Sequence, residues 1–387
     1  MVINENVERK IIPVAGGKGG VGKSFLSSSI SLSLATMGKR VLLIDLDLGG
    51  SNIHTWLGMK NSNPGVGLFL NNKTTLLSDL IVDTPYANLQ FIPGDAMNFD
   101  LANITFAQKK KIMKAILNLD AEYIIMDLGA GCNHNVIDFF LISNSGFMVI
   151  TPETTSILNT YMFARNTVYR FLQRLFSNDK EVIKYLKNTI KNSVPGNPQD
   201  IESLISGMRE FDETAAEKAQ NYLSILTPGL IINMAEEPDD INMINALRGL
   251  IEKNLNIDLE CLGMIFFDND VKKSLRERVP HLVENSDSVS ASQIFRIAQK
   301  IALSENFPEM PYDHSEFDSS FDITEVEAEN DFEVMKASGF SNDDYDVEKL
   351  LELVKKQRDM IAELQGTIRM LSPGNGNEGG GGFNLPL

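Results

Sequence analysis

An α/β fold built on a doubly wound, mostly parallel sheet is predicted for this 387-residue chain by three observations. Strand-like apolar runs alternate with helical patterns as far as about residue 303, the order that places helices on both faces of a parallel sheet. The runs themselves, such as Val41-Leu42-Leu43-Ile44-Asp45 and Tyr123-Ile124-Ile125-Met126-Asp127, are apolar throughout rather than alternating, as strands covered on both faces must be. Between the first run and the first helical pattern stands Gly17-Lys18-Gly19-Gly20-Val21-Gly22-Lys23-Ser24, which has the frame G-x-x-x-x-G-K-[ST] of a phosphate-cradling loop.

Taken in order, the expected strands are Ile11–Ala15, Arg40–Asp45, Leu89–Pro93, Tyr123–Asp127, Gly146–Thr151, Gly229–Asn233 and Leu262–Phe267. A helix is expected from Ser24 to Met37, directly after the glycine-rich loop. Residues 1–304 form one domain in this reading, interrupted by a helical insert at about 172–225 that breaks at Pro195-Gly196-Asn197-Pro198. Residues 305–345 read as an acidic disordered linker. Residues 346–371 read as a C-terminal helix, with Val347, Leu350, Val354, Ile361, Leu364, Ile368 and Leu371 at coiled-coil spacing and Gln357 at one apolar position. Residues 372–387 form a glycine-rich tail.

The net charge of −17 is local. Fifteen acidic residues and one basic residue, Lys336, lie between Glu305 and Glu348, so the folded part is nearly balanced and global charge lends no support to a DNA-binding surface. Cys132 and Cys261 are too far apart in sequence for a CxxC metal site and too few for a disulfide framework. The start, Met1 to Lys10, lacks the basic then apolar pattern of a signal peptide. The apolar stretch near Phe139–Ile150 is broken by Ser143-Asn144-Ser145-Gly146 and is too short to span a bilayer. The chain is therefore expected to be cytoplasmic.

Glycines let backbone N–H groups turn inward onto phosphate oxygens, and the helix N-terminus adds the positive end of its dipole. Gly17, Gly19, Gly20, Val21, Gly22, Lys23, Ser24 and Phe25 are the expected nucleotide-binding residues, with Lys23 on the β- and γ-phosphates and Ser24 on Mg²⁺. The segment Asp45-Leu46-Asp47-Leu48-Gly49-Gly50-Ser51-Asn52 sets two carboxylates just past a strand end, where open α/β sheets bind ligands. Asp45 is expected at the metal, and Asp47 at the attacking water. Asp127 ends a second strand in Asp127-Leu128-Gly129-Ala130-Gly131, the form of a Walker B carboxylate in the Mg²⁺ shell. Gly129 and Gly131 make the following loop a candidate switch.

On Lys18–Ser24, Asp45–Asn52 and Asp127–Gly131 together, the chain resembles the MinD/ParA family of deviant-Walker ATPases. It is most similar to the FlhG (FleN) branch of flagellar-number regulators through Ala107-Gln108-Lys109, Asp138-Phe139-Phe140 and Thr151-Pro152-Glu153-Thr154-Thr155-Ser156. The resemblance spans about residues 8–170 closely and 226–303 loosely. It implies ATP and Mg²⁺ as cofactors, slow partner-stimulated hydrolysis, and a homodimer in the ATP state in which Lys18 reaches the partner's phosphates. It also implies that Asn233 contacts adenine and that Gly263-Met264-Ile265-Phe266-Phe267-Asp268 is a matching strand end, with Phe266 where the family has proline. The glutamine-containing activator motif of FlhG proteins is not visible in Met1–Lys10. The expected function is an ATP-dependent dimerising switch that regulates the placement or number of a cellular structure. MinD-like division-site control and ParA-like partition stay open beside it. A protein partner is expected, transient membrane contact at the inner face stays open, and no sequence-specific nucleic acid is expected. Lys180, Lys184, Lys187 and Lys191 form one helical stripe opposite Val182, Ile183, Leu186 and Ile190, which reads as the solvated face of an amphipathic helix.

Overall fold

The computed structural model describes residues 9–48, 50–60, 63–94, 104–144, 146–191 and 200–304. The chain divides into two units, residues 1–345 and 346–387. The second unit, which holds the expected C-terminal helix and tail, lies outside the described residues, as do the expected linker at 305–345 and the Pro195–Pro198 break.

Eight strands make one sheet: β1 (Lys10–Ala15), β2 (Val41–Leu46), β3 (Val82–Asp83), β4 (Leu89–Ile92), β5 (Tyr123–Leu128), β6 (Phe147–Ile150), β7 (Gly229–Ala235) and β8 (Glu260–Phe266). Their order across the sheet is β3-β4-β2-β5-β1-β6-β7-β8. All neighbours pair in parallel except β3, which runs antiparallel to β4. Seven of the eight are the expected strands. The apolar run that leads into β3, Leu80-Ile81-Val82, is only three residues long and does not by itself mark a strand. The two residues of β3 extend through pairing, Val82 opposite Phe91 and Asp83 opposite Gln90, at the edge of the sheet.

Between β1 and β2 lies α1 (Lys23–Thr36), and after β2 come α2 (Ile53–Trp56) and α3 (Val66–Asn71). Next along the chain are α4 (Phe106–Ile116), α5 (His134–Phe140), α6 (Thr154–Leu175), α7 (Lys180–Lys191), α8 (Ile201–Arg209) and α9 (Glu213–Leu223). The last four are α10 (Ile241–Leu255), α11 (Asn269–Glu277), α12 (His281–Glu284) and α13 (Val289–Leu303). Successive strand residues point to opposite faces, so the sheet feeds two cores. On one face Leu43, Ile125 and Ile231 pack with Leu26 and Ile30 of α1 and Ile294 and Ile297 of α13. On the other, Ile44, Met126 and Ile232 pack with α4, α5, α6 and α10.

The helices at about 172–225 belong to this second core. Val182 and Leu186 of α7, Leu204 and Met208 of α8, and Ala216 and Leu223 of α9 are buried in the same cluster as the sheet residues. On the opposite side of α7, Lys180 and Lys184 of the expected lysine face are exposed and Lys187 is half-buried, while the side chain of Lys191 lies outside the described residues. The chain leaves β1 toward β2 on one side and later reaches β6 on the other, so the carboxyl end of β1 is a topological switch point, where α/β sheets bind ligands.

Because the insert shares the sheet's core, Leu204→Ala is expected to destabilise the whole domain by about 2–5 kcal/mol. Denaturant unfolding followed by circular dichroism should show one transition with a lowered midpoint. A separate early transition, with the main one unmoved, would contradict the shared core.

Candidate nucleotide site

At the carboxyl end of β1 the chain turns through the glycine-rich loop into α1. Gly20 (φ 85°) and Gly22 (φ 94°) hold left-handed conformations that side chains resist. Gly22 caps α1 without a side-chain hydrogen bond, whereas α4, α5, α8, α9 and α13 are capped by Thr105, Asn133, Asp200, Asp212 and Ser288. The amides that open α1 are thus left for an anion. The glycines are also constrained from behind. A Cβ on Gly17 would lie 2.4 Å from the Asn159 carbonyl oxygen of α6, and one on Gly22 would lie 2.2 Å from Asn233 Nδ2.

Two carboxylates stand beside this loop. Asp45 and Asp127 are opposite one another in the β2–β5 register, and both are fully buried. Asp45 accepts from Ser51 Oγ (2.7 Å), Asp47 N (3.1 Å) and Ile53 N (3.3 Å). Asp127 Oδ1 accepts from Ser27 Oγ (2.9 Å), while its buried Oδ2 has no hydrogen-bond partner. Burial, then the charge of Asp127, pushes Asp45 up to about 7. Burial pushes Asp127 up to about 6, with Ser24, Lys23 and Ser27 drawing it back. Two buried like charges and one orphaned carboxylate oxygen form a donor set that fits a hard divalent cation. Ser24 follows Lys23, which is itself buried at 7% exposure.

Asp47 occupies the loop after β2, and its backbone carbonyl accepts the Gly50 amide (3.1 Å). A Cβ on Gly50 or Gly129 would lie 3.4 Å from its carboxylate oxygens, so Asp47 sits between the loops that follow β2 and β5. On the β5 side the Gly131 amide donates to the Gly16 carbonyl (3.2 Å), joining the Walker B loop to the phosphate loop.

Lys18 is 41% exposed, and its Nζ donates to Glu153 Oε2 (2.8 Å) and Thr155 Oγ1 (3.1 Å). Asn233, for which the resemblance implied an adenine contact, is buried beneath the loop and donates through Nδ2 to the Val21 carbonyl (2.9 Å). Asp268, at the end of the matching strand segment, accepts from the Asp270 amide (2.8 Å) and Ser290 Oγ (2.6 Å). Phe25 follows Ser24 and packs on Trp56 of α2, with ring centroids 5.3 Å apart. The structure thus brings Lys23, Ser24, Asp45, Asp47 and Asp127 to one end of the sheet and sets Asn233 behind them.

Sequence reasoning did not single out Ser27, Ser51 or Asn159 for this site. Ser27 lies one helical turn beyond Ser24, so its place on the same face of α1 was available from spacing. Ser51 lies within the segment Asp45–Asn52, but its bond to Asp45 depends on a turn that spacing does not define. Asn159 acts through its backbone carbonyl, which no side-chain pattern announces.

Asp45 and Asp127 are both pushed above the value near 4 of an unfolded carboxylate, so folding stability falls as pH rises from about 4 through 7, while the folded pair is forced to ionise. Asp127→Asn is expected to gain stability relative to the unliganded wild type over that interval, and the difference should level off above pH 7. Thermal unfolding of both proteins at pH 5, 6, 7 and 8 without Mg²⁺ measures it. A stability difference that does not change with pH would rule out the strained pair.

Comparison with known proteins agrees with this geometry. Residues 12–281 match the model of the CobQ/CobB/MinD/ParA nucleotide binding domain. The chain is 24% identical over 312 residues to the antiactivator FleN of Pseudomonas aeruginosa, covering 80% of this chain and 91% of that one. It is 32% identical over 148 residues to the septum site-determining protein MinD of Helicobacter pylori, spanning 38% of this chain and about half, 54%, of that relative. In fold it is similar to MinD of Pyrococcus horikoshii, solved as a complex with Mg-ADP, with a TM-score of 0.52 at 19% identity over 76% of this chain and 97% of the other. A phosphate loop at the switch point of a parallel sheet, two buried carboxylates at adjacent strand ends and a domain match over most of the described residues place this chain in the MinD/ParA family of nucleotide-binding proteins.

Proposed function

We propose that the chain is a Mg²⁺·ATP-dependent dimerising switch that hydrolyses ATP and regulates the placement or number of a cellular structure, in the manner of the FleN branch. The reading is carried by the two lysines of the phosphate loop. Lys23 is buried at the start of α1, where a cation serves the phosphates of its own subunit, whereas Lys18 stays exposed at the surface. A second cation beside the cradle, accessible from outside, suits delivery to a neighbouring subunit's phosphates. Dimerisation and charge stabilisation then depend on the same nucleotide.

In this reading Gly17, Gly19, Gly20, Val21, Gly22, Lys23, Ser24 and Phe25 hold ATP, and Ser24, Asp45 and Asp127 hold Mg²⁺. Bound Mg²⁺ supplies charge neutralisation for the phosphates. Asp47 orients the attacking water from its place between the two loops. Asn233 supports the loop from behind, and any contact it makes with adenine comes through the part of its amide not bonded to Val21. The FleN-type role is favoured because that similarity runs along 80% of the chain. FleN is an antiactivator, so the protein partner under this reading is one that the ATP-bound dimer restrains. MinD-like division-site control is the second reading, favoured by the higher identity of MinD relatives, 34% and 32%, over shorter matches of 149 and 148 residues. No described helix is long and apolar enough to cross a membrane. The proposed location is the cytoplasm, with contact at the inner face of the membrane tested by vesicle sedimentation with ATP and with ADP.

Light scattering is expected to report a dimer of the wild type with Mg²⁺·ATP, a monomer with ADP, and a monomer for Lys18→Ala in both. A wild type that stays monomeric with ATP would sink the switch. Separately, Asp47→Ala is expected to dimerise with ATP while its turnover falls roughly a hundredfold, the scale expected when a reacting group is misplaced. Phosphate release at saturating ATP measures this, and unchanged turnover would remove Asp47 from the reaction.

A further inference from the structure

Two stretches that the phosphate chemistry leaves unused, Ala107-Gln108-Lys109 and Asp138-Phe139-Phe140, meet in the interior. Asp138 of α5 is fully buried. Its Oδ1 accepts from Arg170 Nε (2.7 Å) and its Oδ2 from Arg170 Nη2 (3.0 Å), while Arg174 Nη2 of the same helix α6 forms an ion pair with Oδ1 at 2.6 Å. Lys109 Nζ of α4 donates to the same Oδ2. All three cations are themselves less than one-tenth exposed. Burial alone would raise this carboxyl, but Arg170, Arg174 and Lys109 hold it well below the usual carboxylate range.

An ion cluster taken out of water gives little stability over an apolar core of the same volume, because desolvation offsets the attraction. What it supplies here is direction. The fork of Arg170 grips both oxygens of Asp138 and fixes α5 against α6 in angle as well as distance, which the neighbouring Phe140–Phe163 ring contact alone does not. The other ends of these two helices frame the candidate site. α5 begins three residues after Gly131, whose amide bonds to the phosphate loop. α6 begins beside Glu153, which holds Lys18, and its first turns bring the Asn159 carbonyl against Gly17.

We propose that Asp138, with Arg170, Arg174 and Lys109, is a positioning group for ATP hydrolysis. The cluster sets the Walker B loop at the head of α5 against the Lys18 and Gly17 side of the site at the head of α6. The inference rests on the hydrolytic reading above. Asp138 touches no reacting atom, and its effect passes through the two helices.

The test separates position from stability. In Asp138→Asn, and in the milder Lys109→Gln and Arg174→Lys, the expected result is ATP affinity within about threefold of wild type with a turnover at saturating ATP lowered roughly tenfold or more. Lys109→Gln and Arg174→Lys both leave the Arg170 fork in place and should lose less than Asp138→Asn. Affinity is read from the fluorescence of Trp56, the sole tryptophan, and folding from a cooperative melt. Folded variants with lowered melting temperatures and wild-type turnover would overturn the inference and leave the cluster purely structural. If Asp138→Asn does not fold, wild-type turnover in both milder variants overturns it equally. Absence of turnover in the wild type would instead overturn the hydrolytic reading beneath it.

Discussion

Asp45 and Asp127 lie side by side at the ends of two paired parallel strands, each out of contact with water. In an isolated protein that placement is unfavourable, since burial and mutual repulsion both resist ionisation. The surrounding structure is arranged to tolerate it. Ser51 and two backbone amides hold Asp45, Ser27 holds one oxygen of Asp127, and Lys23 contributes a charge from the start of α1. One carboxylate oxygen is left over. The strand ends, the loop and the start of α1 thus place a donor set suited to a divalent cation beside a cradle suited to an anion, the pair that Mg²⁺ and a phosphate ester would supply.

The second constraint is the backbone of the phosphate loop. Its glycines are needed for their conformation and for their neighbours as well. Gly17 packs on a carbonyl of α6 and Gly22 on the amide of Asn233, so the cradle is braced by α6 on one side and by β7 on the other. The same α6 reaches from the loop to the buried Asp138 cluster and on toward α7–α9, which share its core. A helix of 22 residues, about 33 Å long, thus connects the site to the helices at 180–223.

Much of this was legible in one dimension. Strands buried on both faces betray themselves as unbroken apolar runs, and the loop motif marks the strand-to-helix turn that must stand at a sheet's carboxyl end. Asp45 and Asp127 were recoverable because each closes such a run. What escaped were features created by distance in sequence. The strand β3 exists through its pairing with β4. Asn159 braces Gly17 through a carbonyl, and Glu153 meets Lys18 across 135 residues. Lys109 and Asp138 lie in separate stretches of sequence, with nothing in either to say that they touch.

By itself the sequence determined the α/β class, the phosphate loop, the two acidic strand ends and the second lysine, since each is a local pattern whose chemistry requires that spacing. Only the tertiary structure decided that Asp45 faces Asp127 in register, that Lys18 rests on Glu153 while Lys23 is buried, and that Asn233 lies under the loop. It also decided that the helices at 172–225 complete the main core instead of forming one of their own. The reason is the same in each case. Periodicity records which face of an element is apolar, but the partner of a buried polar group is set by strand order and helix packing, and those are settled only when the chain closes on itself.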